Sequence, residues 1–478
     1  MRTLSTGGYG MCSRRDRSRE KKWTFRDEAE FDRWTGQFLA AARRRGTAMF
    51  LDSQLPGHEA SRPGYIASDP VVSVRVAAGM RAWETMRQFR EKYPEWMFGW
   101  FSYDLKNETE RLVSEHPDPV GLPDLYFFIP GILLETDRNV LEIRLIKGEL
   151  VSDELPFTVL PPEEPAGGSG TVTGSQSTKS VPGSLATGSH SEDLSGLHSR
   201  ESYRIGPLES ADGWELYRRN VLRIKEYIAR GDTYEVNLTH PLQARFEGDS
   251  LALFASMRKT GPVPFAAWIS HERVDVCCAS PERFLQRRGH KVRSQPIKGT
   301  SPRGATPEED RRIIDDILKK EKNRAENVMI VDLVRHDLGQ LARTGTVRTE
   351  SLLEVQTFAT VHQLVSTISA ELPEGTPSVD MIRSCFPMGS MTGAPKIRTM
   401  QIIEELESYR RGLYSGAIGY FTPDDDFDLN VVIRTAIIRQ NRLHYPVGGA
   451  VTADSDPREE WEETWLKAQA LGVDRPGR

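Results

Sequence analysis

The sequence predicts a mixed α/β protein, because strand-type segments dominate its first third and helix-type segments recur in the remainder. Three early runs, at 64–76, 97–105 and 125–146, are rich in the β-branched and aromatic residues that strands favour. The last run is interrupted at 137–139 by Asp, Arg and Asn, as expected for a hairpin turn. The first part of the chain is therefore predicted to be strand-rich.

Helical segments recur after residue 205. The stretch "WELYRRNVLRIKEYIARGD" (214–232) places large apolar residues at helical spacing, and Gly231 is a typical residue after a helix C-terminus. A second helix is predicted from Thr306, where Thr, Pro and Glu form a capping box, with a break near Lys322. The same kind of start signal at Asp456 predicts the last helix.

The chain divides into four sequence segments. Residues 1–22 form a basic tail that we expect to be disordered, and residues 23–160 form the strand-rich N-terminal segment. Residues 161–205 form a Gly/Ser/Thr-rich linker, which has too few large apolar groups to offset the entropy of ordering. Residues 206–475 form the largest segment, and most of the motifs described below lie in it.

Composition argues against a nucleic-acid or membrane partner. The chain has 63 Lys and Arg against 68 Asp and Glu, a net charge of -5, so it shows no excess of positive charge. No apolar run approaches the roughly 20 residues that span a bilayer. The 4 cysteines lack the paired spacing of a disulfide framework or zinc site. We therefore expect a cytoplasmic protein with a small-molecule substrate.

Acidic residues on two predicted helices are candidate metal ligands. Glu460, Glu463 and Lys467 are spaced at i, i+3 and i+7 and so share one helix face. Spacing alone favours a solvated surface for this face. Glu326 differs, because its apolar neighbours in "AENVMIVDLV" predict partial burial, and a buried carboxylate needs a partner or a metal. If the two helices meet, Glu326 and Glu463 would form an oxygen site suited to Mg²⁺.

Eight motifs occur together and in order, beginning with strand-type and loop-type signatures and ending before the last helix. They are SPERFL (280–285), PIKGT (296–300), AENVMIVDLVRHDLG (325–339), VHQLVSTI (361–368), FPMGSMTGAPK (386–396), YSGAIGYF (414–421), VVIRTAI (431–437) and GGAVTADSDP (448–457). Together they resemble the chorismate-utilising enzymes, which include anthranilate synthase component I, aminodeoxychorismate synthase component I, isochorismate synthase and salicylate synthase. The resemblance is strong over residues 210–475 and weaker before the linker.

The resemblance implies one α/β body in which two antiparallel β-sheets pack face to face and helices surround them. Residues 23–160, which are similar to the N-terminal part of anthranilate synthase component I, would complete this body. Residues 206–475 would be the chorismate-binding catalytic domain. The sequence segments are therefore not expected to form separate globules.

The resemblance also implies a metal site and a set of chorismate contacts. Glu326 and Glu463 would bind Mg²⁺, with Glu460 as an outer ligand. Arg434 matches the arginine that binds the enolpyruvyl carboxylate of chorismate, and Tyr414 matches a substrate-contacting tyrosine. One departure is the run Val447-Gly448-Gly449-Ala450, which has two glycines where the family often has three. The other matching substrate-binding positions are Gly299, Thr300, Thr392, Lys396, Gly448, Gly449, Ala450 and Lys467.

Lys298 distinguishes between the reactions of the family. It lies in "PIKGT", as in aminodeoxychorismate synthases component I, whereas anthranilate synthases have a small residue there. A lysine at this position can attack C2 of the ring while the C4 hydroxyl leaves, and apolar neighbours and Mg²⁺ are expected to lower its pKa. The alternative is a lysine that only pairs with a substrate carboxylate.

Two further motif positions bear on the reaction. Glu282 would be the general acid at the C4 hydroxyl; the alternative is a glutamate paired with Arg283 or Arg287. Gln363 lies where anthranilate synthases have a histidine that supports pyruvate elimination, and His362 lies one residue earlier. Because an amide cannot shuttle a proton as imidazole does, the product should keep its enolpyruvyl group.

The resemblance therefore favours the reaction in which chorismate and ammonia give 4-amino-4-deoxychorismate, on the route to p-aminobenzoate and folate. The reaction of anthranilate synthase component I is the nearest alternative, and a non-catalytic tryptophan-binding subunit is a more distant one. No cysteine lies in a nucleophile-elbow sequence, so ammonia is expected from a glutamine amidotransferase subunit in a heterodimer. Ser53 and residues 262–264 resemble the family's tryptophan pocket loosely, which leaves tryptophan binding open.

Overall fold

Every strand pairing in the computed structural model is antiparallel, and the pairings join the strands into a continuous hydrogen-bonded network. The structure describes residues 21–54, 62–77, 79–110, 112–150, 202–358 and 361–472. The strands in these ranges are β1 (Lys22–Thr24), β2 (Ala48–Asp52), β3 (Gly64–Val76), β4 (Met97–Phe101), β5 (Leu125–Asp137), β6 (Glu142–Lys147), β7 (Tyr203–Ile205), β8 (Glu209–Ser210), β9 (Glu235–Gly248), β10 (Phe265–His271), β11 (Val274–Ser280), β12 (Arg283–Arg288), β13 (Lys291–Gln295), β14 (Ile297–Pro302), β15 (Arg348–Thr357), β16 (Val361–Glu371), β17 (Gly393–Ala394), β18 (Ala417–Phe421), β19 (Phe427–Asn430), β20 (Thr435–Arg439) and β21 (Arg442–Val451).

The helices pack mainly against strands. The α-helices in the described ranges are α1 (Glu28–Arg45), α2 (Ala82–Lys92), α3 (Lys106–Thr109), α4 (Gly213–Ala229), α5 (Ser250–Thr260), α6 (Pro307–Lys319), α7 (Glu321–Gly339), α8 (Ser378–Cys385), α9 (Lys396–Leu406) and α10 (Pro457–Ala468). For example, α1 lies on β2, α7 on β16 and α10 on β21. No helix in the part of the chain that the structure describes is both long and apolar enough to cross a membrane.

Strands β3 and β5, each 13 residues long, connect two layers of sheet. The start of β5 pairs with β4, which leads through β18, β19, β12 and β13 to β16. The start of β3 pairs with β2, which leads through β10, β11, β20 and β21 to β9. One buried cluster joins Leu51 and Ile269 of the second layer to Trp100 and Ile418 of the first. The predicted α/β class with two face-to-face antiparallel sheets is confirmed.

The N-terminal segment and the larger segment share this core. Strand β2 of the N-terminal segment pairs with β10, where Phe50 lies opposite Trp268. Strand β4 pairs with β18, where Gly99 lies opposite Gly419. The two sequence segments therefore contribute neighbouring strands to both layers.

The predicted helix boundaries agree with the structure. Thr306 accepts a hydrogen bond from the N–H three residues later at the start of α6, and Asp456 caps α10 in the same way. Gly231 follows the end of α4 with a left-handed φ of 80°. The break predicted near Lys322 falls at Lys320, which separates α6 from α7.

Two described strands begin inside predicted flexible segments. The predicted tail (1–22) overlaps β1, which begins at Lys22 and pairs with β6. The predicted linker (161–205) overlaps β7, which begins at Tyr203 and pairs with β9. Most of the tail and most of the linker lie outside the described residues.

A buried ion pair links two neighbouring strands of the first layer. Arg283 on β12 donates to Asp428 on β19 at 3.1 and 3.2 Å, and neither side chain is exposed. Gln286 donates to the same carboxylate at 2.6 Å. The buried Arg62 guanidinium, which makes no hydrogen bond to the described residues, also interacts electrostatically with Asp428. Asp428 therefore compensates two buried cations.

Asp428→Asn is expected to lower the free energy of unfolding by about 3–5 kcal/mol, because Arg283 and Arg62 would lose their counter-charge inside the core. Urea unfolding followed by circular dichroism measures this change. Glu91→Gln, which removes one carboxylate from an exposed pair with Arg87, is the control and should leave the free energy of unfolding nearly unchanged. A small effect of both substitutions would contradict this account of Asp428.

Candidate active site

The strand that carries Lys298 is bulged at that residue. Ile297 pairs with Val365 of β16, and Thr300 pairs with Gln363. Between these two pairs β14 has two residues and β16 has one. Gly299 in this bulge has a φ of 84°, a left-handed conformation that glycine adopts without steric penalty. A bulge re-aims a side chain relative to its strand, so it sets the direction of the Lys298 side chain.

The Lys298 amine is buried between two carboxylates. Its Nζ lies 2.5 Å from Glu235 Oε1 and 3.8 Å from Glu326 Oε2. No more than 9% of any of these three side chains is exposed. Burial lowers the pKa of Lys298, but the negative charges of Glu235 and Glu326 outweigh burial and raise it above its ordinary value. The predicted lowering of this pKa is wrong, because carboxylates and not only apolar groups surround the amine.

Glu282 lies in the turn between β11 and β12 and is buried. Burial raises the pKa of its carboxyl to about 7, against the opposing effect of the Lys298 and Arg434 cations. The alternative pairing with a neighbouring arginine is not observed, because Arg283 and Arg287 form their ion pairs with aspartates in and just before β19. Glu282 thus has the proton affinity that a general acid needs near neutral pH.

Helices α7 and α10 are linked by carboxylates and lysines. Lys322 on α7 binds Glu460 on α10, and its Nζ lies 3.8 Å from Glu326 Oε1. Glu463 pairs with Lys467 at 2.8 Å. Burial raises the pKa of Glu326 to about 7, whereas Lys467 lowers the pKa of Glu463 to about 2. The three predicted metal-ligating acids therefore lie in one charged cluster.

The carboxylate oxygens of this cluster are donor atoms of the kind that a hard cation prefers. Glu326 Oε1 and Glu460 Oε2 are buried and make no hydrogen bond to the described residues. A Cβ on Gly449 would lie 3.4 Å from Glu460 Oε2 and 3.7 Å from Glu463 Oε1, so the glycine leaves room beside these oxygens. As the side chains stand, the described residues contain no group of three acids, histidines or cysteines close enough to hold a metal, and Lys322 bridges the acids instead. An oxygen-only donor set suits Mg²⁺.

Arg434 and Tyr414 come from neighbouring segments. The N–H of Ser415, which follows Tyr414, donates to the Val432 carbonyl at 2.9 Å. Arg434 has a φ of 50°, a strained conformation that is typical of functional sites. Its guanidinium forms no ion pair with the residues that the structure describes, although it interacts with the charge of Glu282. Arg434 is therefore available to bind an anion.

Two segments, 299–300 and 448–450, are predicted to contact the substrate through their backbone. Each is hydrogen-bonded by another predicted site residue. Gln363 Nε2 donates to Thr300 Oγ1 at 3.5 Å. Lys467 Nζ donates to the Gly448 carbonyl at 2.7 Å. The strand that contains Gly448 pairs with β9, which begins at Glu235. Strands β9, β14 and β21 and helices α7 and α10 thus bring these residues to one region.

Three predicted site residues, which remain predictions, make contacts with neighbouring elements. His362 Nε2 hydrogen-bonds Asp310 Oδ1 at 2.8 Å and so ties β16 to α6. Lys396 forms an ion pair with Asp337 at 2.6 Å. The Thr392 hydroxyl donates to a carbonyl of its own turn at 3.1 Å. In this geometry these side chains fix neighbouring elements.

Sequence reasoning missed two residues of the charged cluster. Lys322 precedes Glu326 by four residues on α7, and this spacing, which places both on one helix face, could have identified it. Glu235 is the first residue of β9 and is followed by the buried Val236. Its contact with Lys298 joins positions 63 residues apart, so no local pattern indicates it.

The two segments that resemble a tryptophan pocket are neighbours in the structure. Ser53 is buried, and the Gln54 N–H donates to the Val263 carbonyl at 3.2 Å. The strands next to them, β2 and β10, pair directly. The two segments therefore lie side by side, and tryptophan binding stays a prediction.

Comparison with known proteins places the chain in a family. Residues 47–472 match the chorismate binding enzyme family, and the chain belongs to that family. Anthranilate synthase component 1 of Thermus thermophilus is 35% identical over 375 residues, which cover 78% of this chain and 76% of that protein. The resemblance found in the sequence is confirmed.

One relative is more similar over a shorter stretch. Aminodeoxychorismate synthase of Streptomyces griseus is 48% identical over 283 residues, which cover 57% of this chain but 39% of that protein. The chain therefore matches less than half the length of this relative. The crystal structure of anthranilate synthase component I from Streptococcus pneumoniae TIGR4 has a TM-score of 0.70 at 24% identity, covering 88% of this chain and 94% of that chain. That likeness supports the fold.

The raised pKa of Glu282 predicts a pH-dependent effect on stability. The folded protein keeps a proton on Glu282 that the unfolded chain loses between the ordinary pKa of 4.5 and about 7, so this carboxyl lowers stability as pH rises. Glu282→Gln keeps the shape without titrating. At about pH 8 it should exceed the wild type in free energy of unfolding by up to about 3 kcal/mol.

The gain from Glu282→Gln should shrink to about 1 kcal/mol near pH 5, where the folded carboxyl is already neutral. Urea unfolding of both proteins at the two pH values measures the difference. A gain that is equal at both pH values would show that burial does not control this carboxyl.

Proposed function

We propose that this chain converts chorismate and ammonia into 4-amino-4-deoxychorismate. The observation that carries the proposal is the buried Lys298 amine, which a bulge directs and which lies near enough to Glu282 to affect its pKa. A primary amine and a weak acid in one buried site are the groups that a nucleophilic displacement of a hydroxyl requires. The similarity to the Streptomyces griseus aminodeoxychorismate synthase supports the proposal over the part that it covers.

The proposed reaction uses Lys298 as nucleophile and Glu282 as acid. The amine, after giving one proton to a neighbouring carboxylate, forms a bond to ring C2 as the ring double bonds shift. Glu282 gives its proton to the C4 oxygen, which leaves as water. Ammonia then bonds to C4 as the ring double bonds shift back and the bond between Lys298 and C2 breaks. The new ammonium group returns a proton to Glu282, and Lys298 takes its own proton back from the neighbouring carboxylate.

Substrate binding in this proposal depends on fixed donors. The free guanidinium of Arg434 would bind the enolpyruvyl carboxylate as a planar fork. Backbone N–H groups near Thr300 and Gly449 would contact the remaining oxygens, since glycine lets the main chain approach closely. Gln363, bonded to Thr300, has no titrating group to assist loss of pyruvate, so the product keeps its enolpyruvyl group.

The acidic cluster would hold Mg²⁺. Glu326 and Glu463 are the ligands that we propose, with Glu460 as an outer ligand. Bound Mg²⁺ would neutralise the ring carboxylate, which these acids would otherwise repel. For this binding Lys322, whose side chain is 32% exposed, would have to release Glu326 and Glu460.

We also propose a source of ammonia, a role for each segment of the chain and a cellular location. Ammonia would come from a separate glutamine amidotransferase subunit in a heterodimer, because the cysteines of the described residues are all buried and unsuited to attack glutamine. Residues 206–475 would be the catalytic domain, completed by residues 23–160. The protein would act in the cytoplasm as an amino-group transferase on the route to p-aminobenzoate and folate.

Incubation of the protein with chorismate, Mg²⁺ and ammonium tests the proposal. Liquid chromatography with mass spectrometry should show 4-amino-4-deoxychorismate, and Lys298→Ala should form it at least about a hundredfold more slowly. Lys319→Ala, which removes an exposed lysine at the end of α6, is the control and should retain the wild-type rate.

Three other outcomes separate the alternatives. Anthranilate and pyruvate as products would identify the anthranilate synthase reaction. Chorismate that stays unconsumed at every ammonium concentration would indicate a non-catalytic subunit. An unchanged rate in Lys298→Ala would remove the covalent step.

A further inference from the structure

Glu235 is the carboxylate closest to the Lys298 amine. It is the first residue of β9, only 1% of its side chain is exposed, and its Oε1 lies 2.5 Å from Lys298 Nζ. Its other oxygen, Oε2, is buried and makes no hydrogen bond to the described residues. The interaction of Glu235 with Lys298 is therefore its main compensation for burial.

The backbone that carries Glu235 is held on several sides. Val236, the next residue, pairs with Val451 of β21 and with Gly393 of β17. A Cβ on Gly393 would lie 2.0 Å from the Glu235 carbonyl oxygen, so only glycine allows these two backbone segments to approach so closely. The Thr233 hydroxyl donates to the same carbonyl at 3.0 Å. The Glu235 side chain is therefore attached to a backbone that is held in place at the start of β9.

Glu326, the other neighbour of Lys298, is shared with other groups. It lies 3.8 Å from Lys298 Nζ and also 3.8 Å from Lys322 Nζ, and it is a ligand in the proposed metal site. Glu235 forms an ion pair only with Lys298 among the described residues. The ion pair between Glu235 and Lys298 therefore does not depend on what Glu326 binds.

We propose that Glu235 is a positioning residue that fixes the Lys298 amine in front of the substrate ring. The inference rests on the proposed function and deepens it. A lysine side chain has four flexible bonds, and holding its end in one place removes freedom that would otherwise be lost during the reaction. A displacement of about 1 Å at a reacting group can slow a reaction about a hundredfold. The short bond to Glu235 prevents such a displacement.

The test compares Glu235→Ala and Glu235→Gln with the wild type. Glu235→Ala should lower kcat for 4-amino-4-deoxychorismate about a hundredfold, while the dissociation constant of chorismate, measured by tryptophan fluorescence, changes less than about threefold. Glu235→Gln keeps the shape and one hydrogen bond, so its loss of kcat should be smaller. It also serves as the readout if Glu235→Ala folds poorly.

Glu404→Gln is the matched control. Glu404 on α9 accepts from the buried Lys106 at 3.1 Å, so its substitution also removes the charge beside a buried lysine. Neither residue is among those placed in the site. Its kcat should stay within about twofold of the wild type. A second control is the double variant with Lys298→Ala and Glu235→Ala. Its residual rate should differ from that of Lys298→Ala by less than about twofold, because Glu235 acts through Lys298.

Specific outcomes would overturn the inference. It fails if Glu235→Ala and Glu235→Gln retain wild-type kcat, if chorismate binding is lost in proportion to kcat, or if Glu235→Ala still slows Lys298→Ala strongly. These results leave the proposed function intact. A wild-type protein that forms no 4-amino-4-deoxychorismate would instead overturn the proposed function, and the inference with it.

Discussion

The site depends on one interaction, the burial of an ammonium group between two carboxylates. Removing charges from water costs several kcal/mol per ion, so Lys298, Glu235 and Glu326 are stable in the interior only as a group. The three residues come from β14, β9 and α7, which are far apart in sequence. These elements therefore have to pack together correctly before the buried charges are neutralised and before any reaction can occur at the amine.

The fold meets this condition by joining two sheets. Strand β9 belongs to the layer that includes β21, and β14 belongs to the layer that ends at β16. Helices α7 and α10, which carry the acids, are connected through Lys322. A one-residue bulge then aims Lys298 across the junction. The buried charged groups thus lie where elements of both layers converge, on strands and helices.

Local signals in the sequence predicted much of this structure. Strand patterns, the capping residues Thr306 and Asp456 and the motif order were sufficient for the fold class. The motifs also identified Lys298, Glu282 and the acids as candidate site residues. Contacts between distant segments were not predictable in the same way. Glu235 and the raised pKa of Lys298 depend on such a contact, and so do the ion pairs that engage His362 and Lys396. A single sequence shows which groups are present but not which charges become neighbours.

In the proposed reaction the Lys298 amine bonds to the ring of chorismate. Mass spectrometry of peptides from protein incubated with chorismate and Mg²⁺, without ammonium, tests it directly. The account predicts that the peptide with Lys298 gains the mass of chorismate less one water, and that this adduct disappears when ammonium is added. An unmodified Lys298 peptide, in a preparation that forms 4-amino-4-deoxychorismate once ammonium is supplied, would contradict the claim.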